Sequence, residues 1–325
     1  MLEEIVTPLV KWYRENKRIL PWRDKGNAYY TWVSEIMLQQ TRVEAVKPYF
    51  ERFITELPDV ESLADCPQEK LLKLWEGLGY YNRVRNMQEA AQTVKKEYNG
   101  RLPEDYQTLL SLKGIGSYTA GAIASIAYGI NVPAVDGNVL RVISRITESA
   151  EDISRQAVRK KIEQQLQEIM PEECPGDFNQ ALMELGAVVC IPNGKAKCGE
   201  CPVASVCLAY RHDKVDSLPV KAPKKARMLE DRTVFIIQDG ECTAIRKRPE
   251  KGLLAGLYEL PNIQGHLKRE EALLYVEKMG LDPLYIEKLP PAKHIFSHIE
   301  WRMQAYRIKV SSLKKSTGQR TYFCR

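Results

Sequence analysis

The stretch from Leu109 to Asn138, LLSLKGIGSYTAGAIASIAYGINVPAVDGN, most restricts what this chain can fold into. A short polar helix end runs into Gly114-Ile115-Gly116, and small residues from Thr119 to Tyr128 then read as a second helix. Two glycines one residue apart allow a sharp turn whose backbone N–H groups face outward. Because those N–H groups open a helix, the turn is a natural seat for an anion such as phosphate. A plain helical hairpin with a Gly-rich connection satisfies the same residues. Asp136 follows on a tight turn, Asp136-Gly137-Asn138.

The rest of residues 1–210 reads as helix. Apolar residues recur at helical spacing in Leu2, Ile5, Val6, Leu9, Trp12 and Tyr13, and again from Ser34 to Phe53. Breakers such as Pro21, Pro58, Gly77, Gly79, Gly100, Pro103 and Pro133 fall where helices should end. Residues 211–231 are polar, basic and proline-bearing, which is linker composition. The character then changes. Thr233 to Ile237 is β-branched and apolar, Asp239-Gly240 signals a hairpin, and Cys242 to Arg246 returns. A helix over 270–279 and an alternating run from Trp301 to Val310, with a phase slip near Tyr306, complete a small α+β domain at 232–325. Its end, KKSTGQRTYFCR, has little core-forming content and reads as frayed or cut short. A 325-residue chain is long enough for both domains to have cores.

Charge divides along the same line. Residues 1–210 hold 25 Lys/Arg against 28 Asp/Glu, a net −3, whereas 211–325 hold 23 against 14, a net +9. If the first part binds nucleic acid, it does so through a local patch and backbone donors. No apolar run is long enough for a bilayer, and the N-terminus reads as an amphipathic helix, so an intracellular, soluble protein is expected. Four of the eight cysteines, Cys190, Cys198, Cys201 and Cys207, fall within 18 residues, separated by seven, two and five residues. In a chain without a secretion signal such a cluster favours metal over disulfides. The spacing suits a [4Fe–4S] cluster or Zn²⁺ equally.

Two carboxylates stand out. Glu35 lies in the apolar run Trp32-Val33-Ser34-Glu35-Ile36-Met37-Leu38, where desolvation would let it keep a proton near neutrality. Asp136 follows Pro133-Ala134-Val135 and heads a turn whose donors would keep it ionised. One protonated and one ionised carboxyl is the pairing that breaks a glycosidic bond through an oxocarbenium-like state. Taken singly, Glu35 also fits a helix-surface acid and Asp136 an N-cap. Tyr80-Tyr81 beside Arg83 and Arg85 fits a base-pair wedge, or aromatics of the core.

Read in order, LPWR at 20–23, VSEIMLQQTRVE at 33–44, GLGYYNRVRN at 77–86, LKGIGSYTAGA at 112–122, VDGNVLRV at 135–142 and the four cysteines resemble the adenine DNA glycosylases of the MutY family, within the helix-hairpin-helix glycosylase superfamily. GLLAGLYELP at 252–261 and HIFSH at 294–298 are similar to that family's Nudix-like recognition domain. The resemblance implies a helix-hairpin-helix at about 109–128 and an iron-sulfur loop at 190–207, held by Cys190, Cys198, Cys201 and Cys207. By the same resemblance Glu35 protonates a flipped-out adenine at N7, Asp136 stabilises the positive sugar, and Tyr118 and Asn138 line the pocket, with Arg23 and Gln180 near the base. Gln40 and Tyr80 enter the duplex; Gly114 and Gly116 grip its backbone, with a monovalent cation on the turn carbonyls. Phe296, Ser297 and His298 read the opposite 8-oxoguanine, in duplexes that carry adenine opposite 8-oxoguanine or guanine. A monomer acting on double-stranded DNA, cytoplasmic and nucleoid-associated, is the implied setting.

Tyr118 bears on the reaction type. Related glycosylases of the endonuclease III kind carry a lysine there, the amine that forms a Schiff base with the sugar. Tyrosine cannot, so the expected enzyme is monofunctional. The alternatives are an endonuclease III-like glycosylase/lyase, or a non-catalytic DNA-binding module with structural metal. The sequence departs from the family pattern in three places: seven residues rather than six between Cys190 and Cys198, Ser117 where proline is common, and an early end to the second domain. The nearest match to a Nudix metal box, Arg269-Glu270-Glu271-Ala272-Leu273-Leu274, has leucines where metal-binding acids should stand, so that domain is expected to recognise rather than hydrolyse.

Overall fold

A computed structural model of the chain describes residues 2–23, 26–192, 194–223, 226–249, 251–313 and 321–324. It divides into two compact units, Met1–Ala222 and Pro223–Arg325.

The first unit is helical throughout its described residues: α1 (Val6–Asn16), α2 (Ala28–Leu38), α3 (Val43–Glu56), α4 (Val60–Asp65), α5 (Gln68–Leu74), α6 (Asn82–Glu97), α7 (Tyr106–Ser111), α8 (Ser117–Tyr128), α9 (Gly137–Ile146), α10 (Gln156–Ile169), α11 (Pro175–Val188) and α12 (Leu208–Arg211). Local chemistry starts them. Asn27 caps α2 by accepting from Tyr30 N, and Asp105 caps α7 by accepting from Thr108 N. Pro175 opens α11, where its missing N–H costs no helical bond. Two cores form. One gathers Trp32, Phe53, Leu63, Trp75 and Val84 with Ala120 and Ile123; the other gathers Ile5, Leu9, Tyr13, Val139, Ile143, Phe178 and Leu182. Helix α8 is set close against the segment leading to Asp136. A Cβ added at Gly121 would stand 2.3 Å from the Pro133 carbonyl oxygen, so only glycine permits that approach.

The segment read as linker, 211–231, is mostly structured, and residues 211–222 belong to the helical unit. Arg145 Nε donates to the Leu218 carbonyl at 2.9 Å, Ile153 N donates to Val220 O at 3.1 Å, and Leu218 is buried. Backbone groups supply these anchors, so the polar composition hides them.

The second unit is a sheet with one helix. Its strands are β1 (Met228–Asp239), β2 (Cys242–Lys247), β3 (Tyr258–Glu259), β4 (Asn262–Gln264), β5 (Pro283–Ile295), β6 (Ile299–Val310) and β7 (Thr321–Cys324), with helix α13 (Arg269–Lys278) between β4 and β5. The strand order is β3-β2-β1-β6-β5, with β4 on β1 and β7 on β2. Strands β1 and β6 run parallel, and the other pairs are antiparallel. Ala272 and Val276 of α13 pack on Phe235, Ile237, Tyr306 and Ile308. The expected phase slip is present. Strand β6 buries Ile299 and Trp301, then Tyr306, Ile308 and Val310, and the change falls opposite a register shift between Leu289 and Ala292 of β5. Of the terminal stretch expected to fray, residues 314–320 and 325 lie outside the described residues, while Thr321–Cys324 pairs with β2.

Candidate active site

A cavity of about 520 Å³ opens in the helical unit, within the range of small-ligand sites. Its wall gathers Arg23, Glu35, Gln40, Tyr118, Asp136, Asn138 and Gln180, seven of the candidates picked from sequence, although they lie up to 157 positions apart (180 − 23). Tyr80, Gly114 and Gly116 are not among the lining residues. Phe296, Ser297 and His298 belong to the other unit, at the β5–β6 turn closed by Phe296 N donating to Ile299 O at 2.8 Å.

Glu35 projects from α2 and is 7% exposed. Burial pushes its carboxyl up to about 7, and Asp136 adds to the rise; the hydroxyl of Tyr118 and the charge of Arg23 oppose it. Tyr118, from the first turn of α8, donates its hydroxyl to Glu35 Oε2. Burial and the neighbouring carboxyls hold that phenol well above its usual range, so it remains a donor.

Asp136 is both the N-cap of α9 and a wall of the cavity, so the capping reading and the functional one are satisfied together. Its Oδ1 accepts from Asn138 N and Val139 N at 2.8 Å each, and its Oδ2 accepts from Asn138 Nδ2 at 2.7 Å. Donors alone would depress its pKa. Burial outweighs them and raises it above the usual carboxylate value, so the turn's donors limit the rise rather than set a low value. Behind it, Arg141 Nη2 donates to Asn138 Oδ1 at 2.9 Å and Arg141 Nε to the Cys190 carbonyl at 2.8 Å. A Cβ on Gly186 would stand 2.6 Å from Asn138 Cβ, so α11 also packs closely behind Asn138.

Arg23 has another primary partner. Its Nη2 donates to Glu184 Oε2 at 2.6 Å, and its Nη1 to the Arg18 carbonyl at 3.0 Å. Glu184 is 1% exposed and also takes a forked pair from Arg18, at 2.6 and 2.9 Å. Burial would raise its carboxyl, but the two guanidiniums hold it down at about 2. Sequence reasoning misses Arg18 and Glu184, although a signal exists: Glu184 is a lone acid among Leu182, Met183 and Leu185, as Glu35 is in α2. Arg159 is missed as well; it lines the cavity and donates to the Val135 carbonyl at 2.6 Å, one residue before Asp136. Gln180 sits on the wall with its amide turned to the Gly176 carbonyl at 3.3 Å.

The hairpin has the expected shape. Gly114 has φ +77°, Ile115 N donates to Leu112 O at 3.1 Å, and Gly116 is the N-cap of α8. A Cβ at Gly114 would lie 2.8 Å from Asn86 Cβ. The non-proline Ser117 gains a partner, donating to Glu163 Oε1 of α10 at 3.1 Å.

The four clustered cysteines are not disulfide-bonded, and they share a second cavity of about 30 Å³ with Val142, Arg145 and Leu185. Arg145 Nη1 lies 3.2 Å from Cys190 Sγ. Burial pushes the Cys201 thiol up to about 12, so there it stays protonated unless a metal cation holds it as thiolate. Among the described residues no three His, Cys, Asp or Glu side chains sit closely enough to hold a metal ion.

Residues 33–170 match the HhH-GPD superfamily base excision DNA repair proteins, and residues 233–322 match the NUDIX domain. The adenine DNA glycosylase of Buchnera aphidicola subsp. Acyrthosiphon pisum is 35% identical, over 92% of this chain and 85% of that protein. The adenine DNA glycosylase of Mus musculus is 34% identical, over 95% of this chain and 71% of that protein. Among solved structures, a thermostable thymine-DNA glycosylase superposes with a TM-score of 0.58 at 27% identity, covering 65% of this chain and 97% of that one. A non-covalent endonuclease III–DNA complex, at 23% identity and a TM-score of 0.56 over 65% of this chain and 96% of that one, shares the fold.

Proposed function

Because this chain belongs to the adenine DNA glycosylases, within the helix-hairpin-helix base-excision superfamily, we propose that it removes adenine paired with 8-oxoguanine or guanine and leaves an abasic site in an uncut strand. It is a DNA N-glycosylase of base-excision repair, and DNA is its partner. The observation that carries the finer reading is the pairing of a buried and a partly buried carboxyl in one cavity, the first facing a lone hydroxyl and the second three N–H donors.

Glu35, with a pKa of about 7, still carries a proton near neutrality and gives it to N7 of a flipped-out adenine. The base then leaves neutral. Asp136 keeps its charge, which its donors stabilise, and offsets the positive sugar. Water adds at the anomeric carbon and loses a proton. Among the described residues no lysine lines the cavity, and the Tyr118 phenol cannot form a Schiff base, which supports a monofunctional reaction over a glycosylase/lyase. For the opposite base, Ser297 and His298 stand exposed at the tip of the β5–β6 hairpin, with Phe296 between the His294 and Trp301 rings at 4.5 and 5.0 Å. Such a tip suits contact with one exposed base.

For the cysteine cavity the reading is a [4Fe–4S] cluster, supported by the four thiols that line one space and by Arg145, which offers Cys190 a positive neighbour. Cys190, Cys198, Cys201 and Cys207 would hold it, and bound there it cross-links the 190–207 loop. At the hairpin no acidic side chain stands between Leu112 and Gly116, so a monovalent cation there would rest on backbone oxygens alone. We place the enzyme on DNA as a monomer in a bacterial-type cytoplasm, at the nucleoid where its substrate lies.

The test is a duplex with one adenine opposite 8-oxoguanine, analysed with and without hot alkali. Adenine release with strand cleavage only after alkali supports the proposal. Cleavage without alkali points to a lyase, and absence of release refutes the substrate. Iron and acid-labile sulfide in equal amounts would identify the cluster; zinc alone would replace it.

A further inference from the structure

Outside the cavity, the side chain with the densest set of partners is Arg83, one residue into α6. Its Nη1 donates to three carbonyls at the end of α2, those of Ile36, Met37 and Gln39, at 2.6, 3.2 and 2.7 Å. Its Nη2 donates to Leu78 O and Gly79 O at 3.1 and 3.2 Å. The guanidinium also lies over the Trp75 ring at 5.3 Å and the Tyr80 ring at 5.7 Å. Burial lowers its pKa to about 10, which leaves it charged at neutral pH.

The carbonyls it holds flank two unusual residues. Gln40 follows Gln39 with φ +60°, and Tyr80 follows Gly79 with φ +48°. Neither is glycine, and the left-handed conformation costs each of them on the order of 1 kcal/mol or more unless the surroundings fix it. Both are exposed, Tyr80 by 50%. The final carbonyls of α2 have no helical donor of their own, and Arg83 supplies one. The same helix carries Glu35.

We propose that Arg83 is a positioning residue that ties the Gln40 turn, the Tyr80 turn and the end of the Glu35 helix into one rigid unit, so that both side chains enter the duplex together as the adenine leaves it. This rests on the reading of Gln40 and Tyr80 as residues that enter DNA. A planar fork reaching five carbonyls is a task for arginine; lysine offers one compact ammonium and cannot span both turns.

The test compares the full-length wild type with Arg83→Met, Arg83→Lys, the pair Gln40→Ala/Tyr80→Ala, and the triple variant. Single-turnover adenine release and the fluorescence of 2-aminopurine, placed opposite 8-oxoguanine as the flipped base, are measured. Arg83→Met should slow both by about 100-fold, the scale of an ångström misplacement. Arg83→Lys should recover little of that loss, and the pH at which release falls off should not move. In the Gln40→Ala/Tyr80→Ala background, removing Arg83 should cost less than about 3-fold, because its effect runs through those side chains. Full additivity in the triple variant, or recovery by lysine, overturns the proposal. If Arg83→Met fails to fold, Arg83→Lys in both backgrounds takes its place in the same comparison. If Gln40→Ala/Tyr80→Ala releases adenine at the wild-type rate, the DNA-entry reading falls and this inference with it.

Discussion

Glu35→Gln tests the buried acid without measuring catalysis. In the folded chain the carboxyl is raised from 4.5 to about 7, chiefly by burial. The sign is opposite to that of an ion-paired carboxylate. Between pH 4.5 and 7 the folded protein holds a proton here that the unfolded chain has released, so stability falls as pH rises through this window. Each pKa unit is worth about 1.4 kcal/mol, so the folded state forfeits about 3 kcal/mol once Glu35 is ionised. Glutamine does not titrate. Whatever constant effect the amide has cancels when the two proteins are compared across pH. The stability of Glu35→Gln relative to wild type should therefore rise by about 3 kcal/mol from about pH 5 to about pH 8.5. Guanidinium unfolding of the full-length proteins, with the cysteine loop in the same state in both, gives the comparison. Trp12, Trp22, Trp32 and Trp75 provide the fluorescence signal from the helical unit. A difference that stays flat within about 1 kcal/mol would show that Glu35 is not desolvated in this way, and the acid role would lose its physical basis.

Tyr118→Phe removes the hydroxyl that lowers the Glu35 pKa, so the alkaline limb of the release rate should move to higher pH, read from a pH–rate profile. Glu184→Gln leaves Arg18 and Arg23 without their buried counter-charge; a loss of about 3–5 kcal/mol is expected in equilibrium unfolding at neutral pH. Because the Glu184 carboxyl sits at about 2, the wild type should keep this contribution down to roughly pH 4 and lose it as pH falls toward 2. Gly121→Ala drives a Cβ onto the Pro133 carbonyl oxygen, costing about 1–3 kcal/mol in thermal unfolding, and should slow adenine release by displacing the segment that ends in Asp136.

How much can be read in advance depends on whether a feature is local. Helix boundaries follow breakers and caps within a few residues, so α7, α8 and α13 lie where spacing puts them. Glu35 and Asp136 are legible for the same reason: each is an acid in an apolar neighbourhood only a few residues long. The Arg18–Glu184–Arg23 lock joins positions 166 and 161 apart, which no window shows. Arg83 and Arg145 are harder still, because their partners are backbone carbonyls, and every residue has one. That also explains the segment read as linker, where proline and lysine content signals freedom while Arg145 and Asp152 hold the backbone of Leu218 and Ala222.

The division of labour between the two carboxyls follows from donors rather than from depth. Burial raises both Glu35 and Asp136, so depth alone would leave two neutral acids and no charge to meet a cationic sugar. The three N–H donors on Asp136 bind its ionised form more strongly than its neutral form. Asn138 is held in turn by Arg141, whose own charge also favours the anion. Glu35 has one hydroxyl partner, and although that bond favours its carboxylate, burial outweighs it and raises the carboxyl to about 7. When the pair shares a single proton, the proton therefore goes to Glu35, and the mutual repulsion of the two charges holds it there. Both line the one cavity, so the acid and the anion that the proposed reaction needs belong to the same site.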